Sequence, residues 1–159
     1  MVMENNYVLK LWRKVKSWPF GSRLMAMAIE RQAPYFKTVA VKVLDIVPNR
    51  AEVLITKKRK VENHIGTVHV IAICNGLEFA MGTMAEASIP KHLRWIPKGM
   101  SLDYVAKADS DIRCVAKVNP DDWQPGDLYV EVIGYTASNI EAVRGTIKLW
   151  ISEKPAKAA

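Results

Sequence analysis

The spacing of apolar residues divides the chain into helical and extended segments. Between Tyr7 and Trp18 apolar side chains recur at intervals of three and four, with basic residues between them, which predicts an amphipathic helix. Pro19 and Gly21 end this helix, and Ser22 is expected to cap a second short helix that runs through Glu30. Two helices therefore precede the extended segments.

After Pro34 the pattern changes to alternating and β-branched apolar residues. It predicts one strand from Val39 to Val47 and another from Ala51 to Thr56. The turn residues Pro48-Asn49-Arg50 between the two strands indicate a hairpin.

A helical pattern that is apolar on nearly every side extends from Thr67 to Gly82. Four strand-like runs follow: Leu93 to Ala106, Asp111 to Lys117, Asp127 to Tyr135 and Ala142 to Ile151. A sheet needs apolar cover on one face. The order therefore predicts an α+β protein in which an antiparallel sheet of about six strands wraps around a central helix, with the N-terminal helices beside it.

The length of 159 residues, half of them apolar, suits one core rather than two. We expect an N-terminal helical segment at 1–32, a sheet-and-helix domain at 33–152 and a disordered tail at 153–159. No apolar run approaches the roughly 20 residues of a membrane span. Cys74 and Cys114 lie in apolar patterns, which favours a cytoplasmic setting with reduced thiols, and the three scattered histidines indicate no metal site.

The net charge of +7 favours anionic partners, namely nucleic acid, a membrane surface or a phosphorylated small molecule. Few aromatic residues lie among the lysines and no nucleic-acid motif is present, so nucleic-acid binding is not expected.

The segment Asn63-His64-Ile65-Gly66-Thr67-Val68-His69 places polar groups at the start of the predicted central helix. A helix that begins near Thr67 directs unpaired N–H groups and its positive dipole end toward this loop, which suits an oxygen that gains negative charge in acyl transfer. Gly66 permits close approach, so the backbone of Gly66 and Thr67 is a candidate oxyanion site. Asn63 and His69 can orient a substrate or a water molecule.

Glu78 lies nine residues after His69, along the apolar side of the same predicted helix. It can act as a general base or nucleophile, or simply be a solvated structural residue. Nine helical residues rise about 13.5 Å and rotate through about 900°, so the two side chains point in nearly opposite directions. If both serve one reaction, a two-fold partner must supply one of them, and the site lies at a dimer interface.

The pattern Asn63-x-x-Gly66-Thr67-x-His69, followed by a carboxylate nine residues later, resembles the active-site segment of hotdog-fold thioesterases of the phenylacetate-pathway and acyl-CoA thioesterase thirteen types. The residues from Trp95 to Met100 and from Tyr104 to Ala108 resemble the next strand of a related branch, the DUF4442 family. The resemblance covers most of the chain from Ala33 to Ile151 and implies a hotdog fold.

The resemblance also implies roles for individual residues. Glu78 would be the base or nucleophile, Asn63 of the other subunit would position the water or carbonyl, and the Val70 N–H would polarise the thioester oxygen. His69 would hold the loop geometry. Two departures stand against full activity: the usual Gly-Gly after the His is Val70-Ile71, and the usual Asp is Glu78, whose extra methylene can displace a base by roughly 1 Å.

The resemblance therefore implies hydrolysis of acyl-CoA or a related thioester by a homodimer, possibly a homotetramer, without a cofactor. The alternative is a hotdog dimer that binds acyl-CoA or a fatty acyl chain without hydrolysing it.

The basic run Lys57-Lys58-Arg59-Lys60 directly precedes the loop. It can attract the phosphates of coenzyme A. The alternative is that these cations protect an edge strand against aggregation.

Overall fold

The computed structural model describes residues 6–155, in which two α-helices are followed by two strands, a third α-helix and four more strands. The bounds are α1 (Tyr7–Val15), α2 (Gly21–Gln32), β1 (Lys42–Val47), β2 (Arg50–Ile55), α3 (Val70–Ser88), β3 (Leu93–Tyr104), β4 (Ile112–Lys117), β5 (Gly126–Tyr135) and β6 (Glu141–Glu153).

The six strands form one sheet in the order β1-β2-β4-β5-β6-β3, and every neighbouring pair is antiparallel. Helix α3 packs on one face of this sheet, and its buried side contributes large apolar side chains to the core (Ile73, Leu77, Phe79, Met81 and Met84). This arrangement is the predicted hotdog fold, and the hairpin and the four later strands are confirmed.

The N-terminal helices share the core of the sheet. Leu9, Trp12 and Met25 are buried in the same hydrophobic cluster as α3 and the strands. Arg23 of α2 donates hydrogen bonds to both carboxylate oxygens of buried Glu30 and to the carbonyl of Val41 just before β1. This ion pair holds α2 against the start of the sheet.

The predicted disordered tail begins at Glu153, but this residue is the last one of β6. Glu153 pairs with Leu93, and the Lys154 N–H donates to the His92 carbonyl over 2.8 Å. Residues 156–159 of the predicted tail, and residues 1–5 of the predicted helical segment, lie outside the described residues.

Two helix starts differ from expectation. Helix α2 begins at Gly21 after Phe20, which is left-handed at φ 62°, and Ser22 is not its cap. Helix α3 begins at Val70 rather than Thr67, because other contacts fix the preceding residues in a non-helical path. One such contact is the 2.8 Å hydrogen bond from the Val68 N–H to the Ala108 carbonyl.

Helix α3 comes so close to β2 and β4 at Gly76 that a side chain has no room there. A Cβ at this position would lie 2.6 Å from Ile55 Cδ1 and 2.9 Å from Cys114 Sγ. At Gly82, on the same helix, the nearest atom would be Trp95 Cη2 at 3.6 Å, an ordinary contact. Gly76 therefore sets how deeply the helix sits on the sheet.

We expect Gly76→Ala to lower the free energy of unfolding by about 1–3 kcal/mol, because overpacking outweighs the gain in helix propensity. Gly82→Ala is the matched control and should leave stability unchanged or raise it by up to about 1 kcal/mol. Urea unfolding followed by circular dichroism measures both variants. Equal effects at the two positions would contradict the close approach at Gly76.

Candidate functional site

Asn63 holds the loop before α3 in a tight turn. Its side-chain oxygen accepts hydrogen bonds from the N–H groups of Ile65 and Thr67, each at 3.1 Å, and its Nδ2 donates to Thr67 Oγ1 at 2.8 Å. Its backbone carbonyl accepts the Gly66 N–H at 3.1 Å. The N–H groups of Gly66 and Thr67, both expected to face an oxyanion, are therefore occupied, and one N–H of Asn63 Nδ2 remains available.

His69 is the N-cap of α3. Its Nδ1 accepts the Ile71 N–H at 3.1 Å, so the neutral ring carries its proton on Nε2. The His69 carbonyl accepts the Ala72 N–H at 2.9 Å. The Val70 N–H has no acceptor among residues 6–155, and it lies at the positive end of a 19-residue helix.

A groove of about 240 Å³ adjoins this helix start. Residues from three parts of the chain line it: the turn after α2 (Tyr35, Thr38, Val39), the basic loop (Lys60, Val61, Glu62) and the first turns of α3 (His69, Ile71, Ala72, Asn75). The groove therefore brings His69 together with residues that are distant in sequence.

Asn75 is the groove residue that the sequence pattern did not single out. Only 7% of its surface is exposed, and its Oδ1 is buried with no hydrogen-bond partner among the described residues. An unsatisfied buried amide costs about 1–3 kcal/mol, which makes it a candidate ligand contact. The available signal was a lone amide within an almost wholly apolar helix.

Glu78 does not line this groove. It lies half-buried about two turns farther along α3 than Ile71, on the same side of the helix as Ile71 and partly buried Cys74. Within the described chain its carboxylate makes no hydrogen bond or ion pair. Burial raises the pKa of the Cys74 thiol, and the negative charge of Glu78 raises it further.

Both cysteines are free thiols. Burial raises the pKa of Cys114 far above its ordinary value. Each thiol therefore stays protonated near neutral pH, which does not favour a nucleophilic role for either one.

The basic run lies beyond the end of β2, and β2 is flanked by β1 and β4. Protection of an edge strand is therefore not its role. Lys57 Nζ lies 3.6 Å from Glu62, whereas Lys58, Arg59 and Lys60 are exposed. Lys60 also lines the groove and contributes a positive charge to its lining.

A second hollow of about 210 Å³ lies on the sheet face opposite α3. Its charged lining residues are paired: Arg113 with Glu52 at 3.1 Å and Lys117 with Glu131 at 3.1 Å. The groups of this hollow are thus already satisfied, and the groove is the better candidate site.

Within residues 6–155, no three His, Cys, Asp or Glu side chains are grouped as metal ligands. No helix in this range combines the length and hydropathy needed to cross a membrane.

Comparison with known proteins gives one family match. The family model described as a domain of unknown function, DUF4442, matches residues 21–151. No curated protein matches the chain.

Several solved structures are similar. A crystal structure from a genomics programme is 39% identical, with 93% of this chain and 99% of that chain covered and a TM-score of 0.81. A Pseudomonas aeruginosa protein of unknown function, described as a probable thioesterase, is 15% identical over 79% of this chain and 91% of its own, with a TM-score of 0.71. A thioesterase family protein from Silicibacter pomeroyi is 14% identical over 86% of this chain and 100% of its own, with a TM-score of 0.68. At 14% and 15% identity, the last two share the fold.

The proximity of Glu78 and Cys74 can be tested by alkylation. Removing the negative charge in Glu78→Gln should lower the pKa of Cys74, shift the pH profile of its reaction with iodoacetamide to lower pH, and speed the reaction about two- to threefold near pH 8. Mass spectrometry locates the label, and Cys114→Ser serves as the control with an unchanged rate. An unshifted profile would mean that the carboxylate and thiol do not interact.

Proposed function

The chain belongs to the DUF4442 family, and from this premise we propose that it hydrolyses an acyl thioester, with acyl-CoA as the substrate, at a site shared by two subunits. The observation that carries the proposal is the Val70 N–H, which lies without an acceptor at the start of α3 beside the groove.

The thioester carbonyl would accept the Val70 N–H. Negative charge that develops on its oxygen is stabilised by this donor and by the positive end of the helix. The His69 cap supports this proposal, because it occupies the Ile71 N–H, whereas the Val70 N–H is left without an acceptor in the described chain.

Glu78 would supply the base. Its carboxylate, free of protein partners in the described chain, takes a proton from water as the water oxygen attacks the thioester carbon. The carbon–sulfur bond then breaks, and the thiolate leaves and takes up a proton. Because Glu78 is outside the groove that holds His69, the two groups meet only if the partner subunit supplies one of them.

Strand β3 offers the surface for this homodimer. Among residues 6–155 it is an edge strand whose one neighbour is β6. Trp95, Met100 and Tyr104 lie on its inner face, opposite core residues of β6, yet Met100 and Tyr104 are exposed. Pairing of two β3 edges would cover these side chains and bring the Glu78 face of each α3 toward the partner. Two such dimers could form a tetramer.

Asn75 and the basic loop would hold the coenzyme A portion. The pantetheine arm carries amide groups that can bond to the unsatisfied amide of Asn75 in the groove. The exposed cations Lys58, Arg59 and Lys60 would attract its phosphates, with Lys57 adding to the local charge.

Binding of acyl-CoA without hydrolysis is the second candidate function. Two observations favour it. Ile71 lines the groove and occupies space that a smaller residue would leave for the substrate. The Asn63 side chain already makes hydrogen bonds within its own loop. Saturable binding with no thiol release would then be expected.

Glu78→Gln should abolish thiol release from acyl-CoA esters, with kcat lowered about a hundredfold or more, because the variant cannot accept a proton. Release is followed with a thiol reagent over short, long and aromatic acyl groups. Glu86→Gln is the matched control, since it removes a carboxylate from the same helix but keeps the acceptor for the Trp95 ring N–H. Undiminished hydrolysis by Glu78→Gln would reject the proposed base.

Asn75→Leu should leave the fold unchanged or stabilise it by about 1 kcal/mol, because an unsatisfied amide is replaced by an apolar group of similar size. It should raise KM more than it lowers kcat if the amide contacts substrate. Thr83→Val is the control: Thr83 Oγ1 is also buried without a partner, but Thr83 is not among the residues that line the groove. The same KM in both variants would contradict a ligand contact at Asn75.

A further inference from the structure

Helix α2 is apolar on its outer side as well as its inner side. Met25 and Ala26 face the core, but Leu24 and Met27 are exposed by 43% and 51%. In the turn before the helix, Trp18 and Phe20 are also exposed. We call the set Trp18, Phe20, Leu24 and Met27 the apolar ridge.

Phe20 occupies an unfavourable backbone conformation without any packing that would compensate for it. Its φ is 62°, in the left-handed region that a bulky side chain rarely adopts, and 84% of its surface is exposed. Gly or Asn would fit this backbone with less strain. A partner outside the chain that covers the ring would account for an aromatic residue held here against local preference.

The exposed charged residues of the segment that carries the apolar ridge have one sign. Between Tyr7 and Thr38 the sequence contains seven basic residues and one acidic residue, Glu30. Glu30 is buried against Arg23, so the exposed charged residues of this segment are all cationic (Lys10, Arg13, Lys14, Lys16, Arg31 and Lys37). A partner that covers the ridge must therefore be both apolar and negatively charged.

We propose that the apolar ridge and the surrounding cations dock the protein on the surface of an anionic lipid membrane. Trp18 and Phe20 would enter the boundary between headgroups and acyl chains, and the lysines and arginines would lie against lipid phosphates. The Arg23–Glu30 ion pair fixes α2 on the sheet, so the ridge is presented in place before binding.

A second copy of the chain fits this surface less well. A two-fold contact through the ridge would place the same cations of both copies opposite one another, and like charges repel. An anionic bilayer satisfies the apolar side chains and the cations together.

Docking in this way would serve a substrate with an acyl chain. Tyr35, in the turn that directly follows α2, lines the groove beside His69 and Asn75. The groove thus adjoins the segment that would contact the membrane. Molecules with acyl chains accumulate in membranes, so docking would bring the groove close to them. The docking itself does not depend on hydrolysis and is tested separately.

The test is co-sedimentation of the full-length protein with pure phosphatidylcholine vesicles and with mixed phosphatidylcholine–phosphatidylglycerol vesicles, at low and high salt. We expect binding to the mixed vesicles alone, weakened by salt. Phe20→Asn combined with Leu24→Ser should reduce the partition coefficient about tenfold or more, because apolar area is lost. Lys14→Gln combined with Lys16→Gln should reduce it through loss of charge.

Ile140→Ser, which removes an exposed apolar side chain from the turn before β6, is the matched control and should bind as the native protein does. Phe20→Asn alone should bind more weakly and unfold at the same or a higher urea concentration, because the left-handed backbone suits Asn. Equal binding to both vesicle types, unchanged binding of the ridge variants, or a ridge variant that alters only the oligomeric state would each overturn the proposal.

Discussion

The close approach of α3 to β2 and β4 at Gly76 is the contact on which the rest of the structure depends. A Cβ at this position would lie within 3 Å of Ile55 Cδ1 and Cys114 Sγ, so the helix lies too near the sheet for a side chain at Gly76. That depth buries Leu77 and Ala80 completely, and only Ile71 and Glu86 of this helix are exposed in the described structure. The same placement brings the helix start against the turn after α2, which creates the groove.

Some polar groups in and before α3 are hydrogen-bonded within the protein, and others are not. Asn63 and His69 bond the donors nearest to them, so that the loop has one shape. The Val70 N–H, the Asn75 amide and the Glu78 carboxylate have no partner of this kind in the described chain. Buried or half-buried polar groups are normally paired in folded proteins. Thr83 Oγ1 on the same helix is also buried without a partner in the described chain. The proposed thioester site and partner subunit would account for the other three groups.

Much of the fold could be predicted from the sequence, because clear turns separate its strands. The hairpin around Pro48 and Asn49 and the four later strands follow from runs of apolar and β-branched residues bounded by turn residues. The start of α3 was predicted three residues early, because the pattern of apolar residues continues through Val68. The helix starts later because the Val68 N–H donates a long-range hydrogen bond to the Ala108 carbonyl. Local spacing of apolar residues does not reveal this bond.

By itself, the sequence determined the order of the elements, the apolar central helix and the presence of Asn63, His69 and Glu78 at family-like spacing. Only the tertiary structure decided which of these groups share a cavity. His69 lines the groove together with Asn75 and Lys60, whereas Asn63 and Glu78 do not line it. It also decided which side of α2 is covered, since both sides of that helix are apolar in the sequence. The physical reason is the same in each case: periodicity shows which residues lie on a common face of a helix, but neighbours distant in sequence determine whether that face is buried, paired or left open.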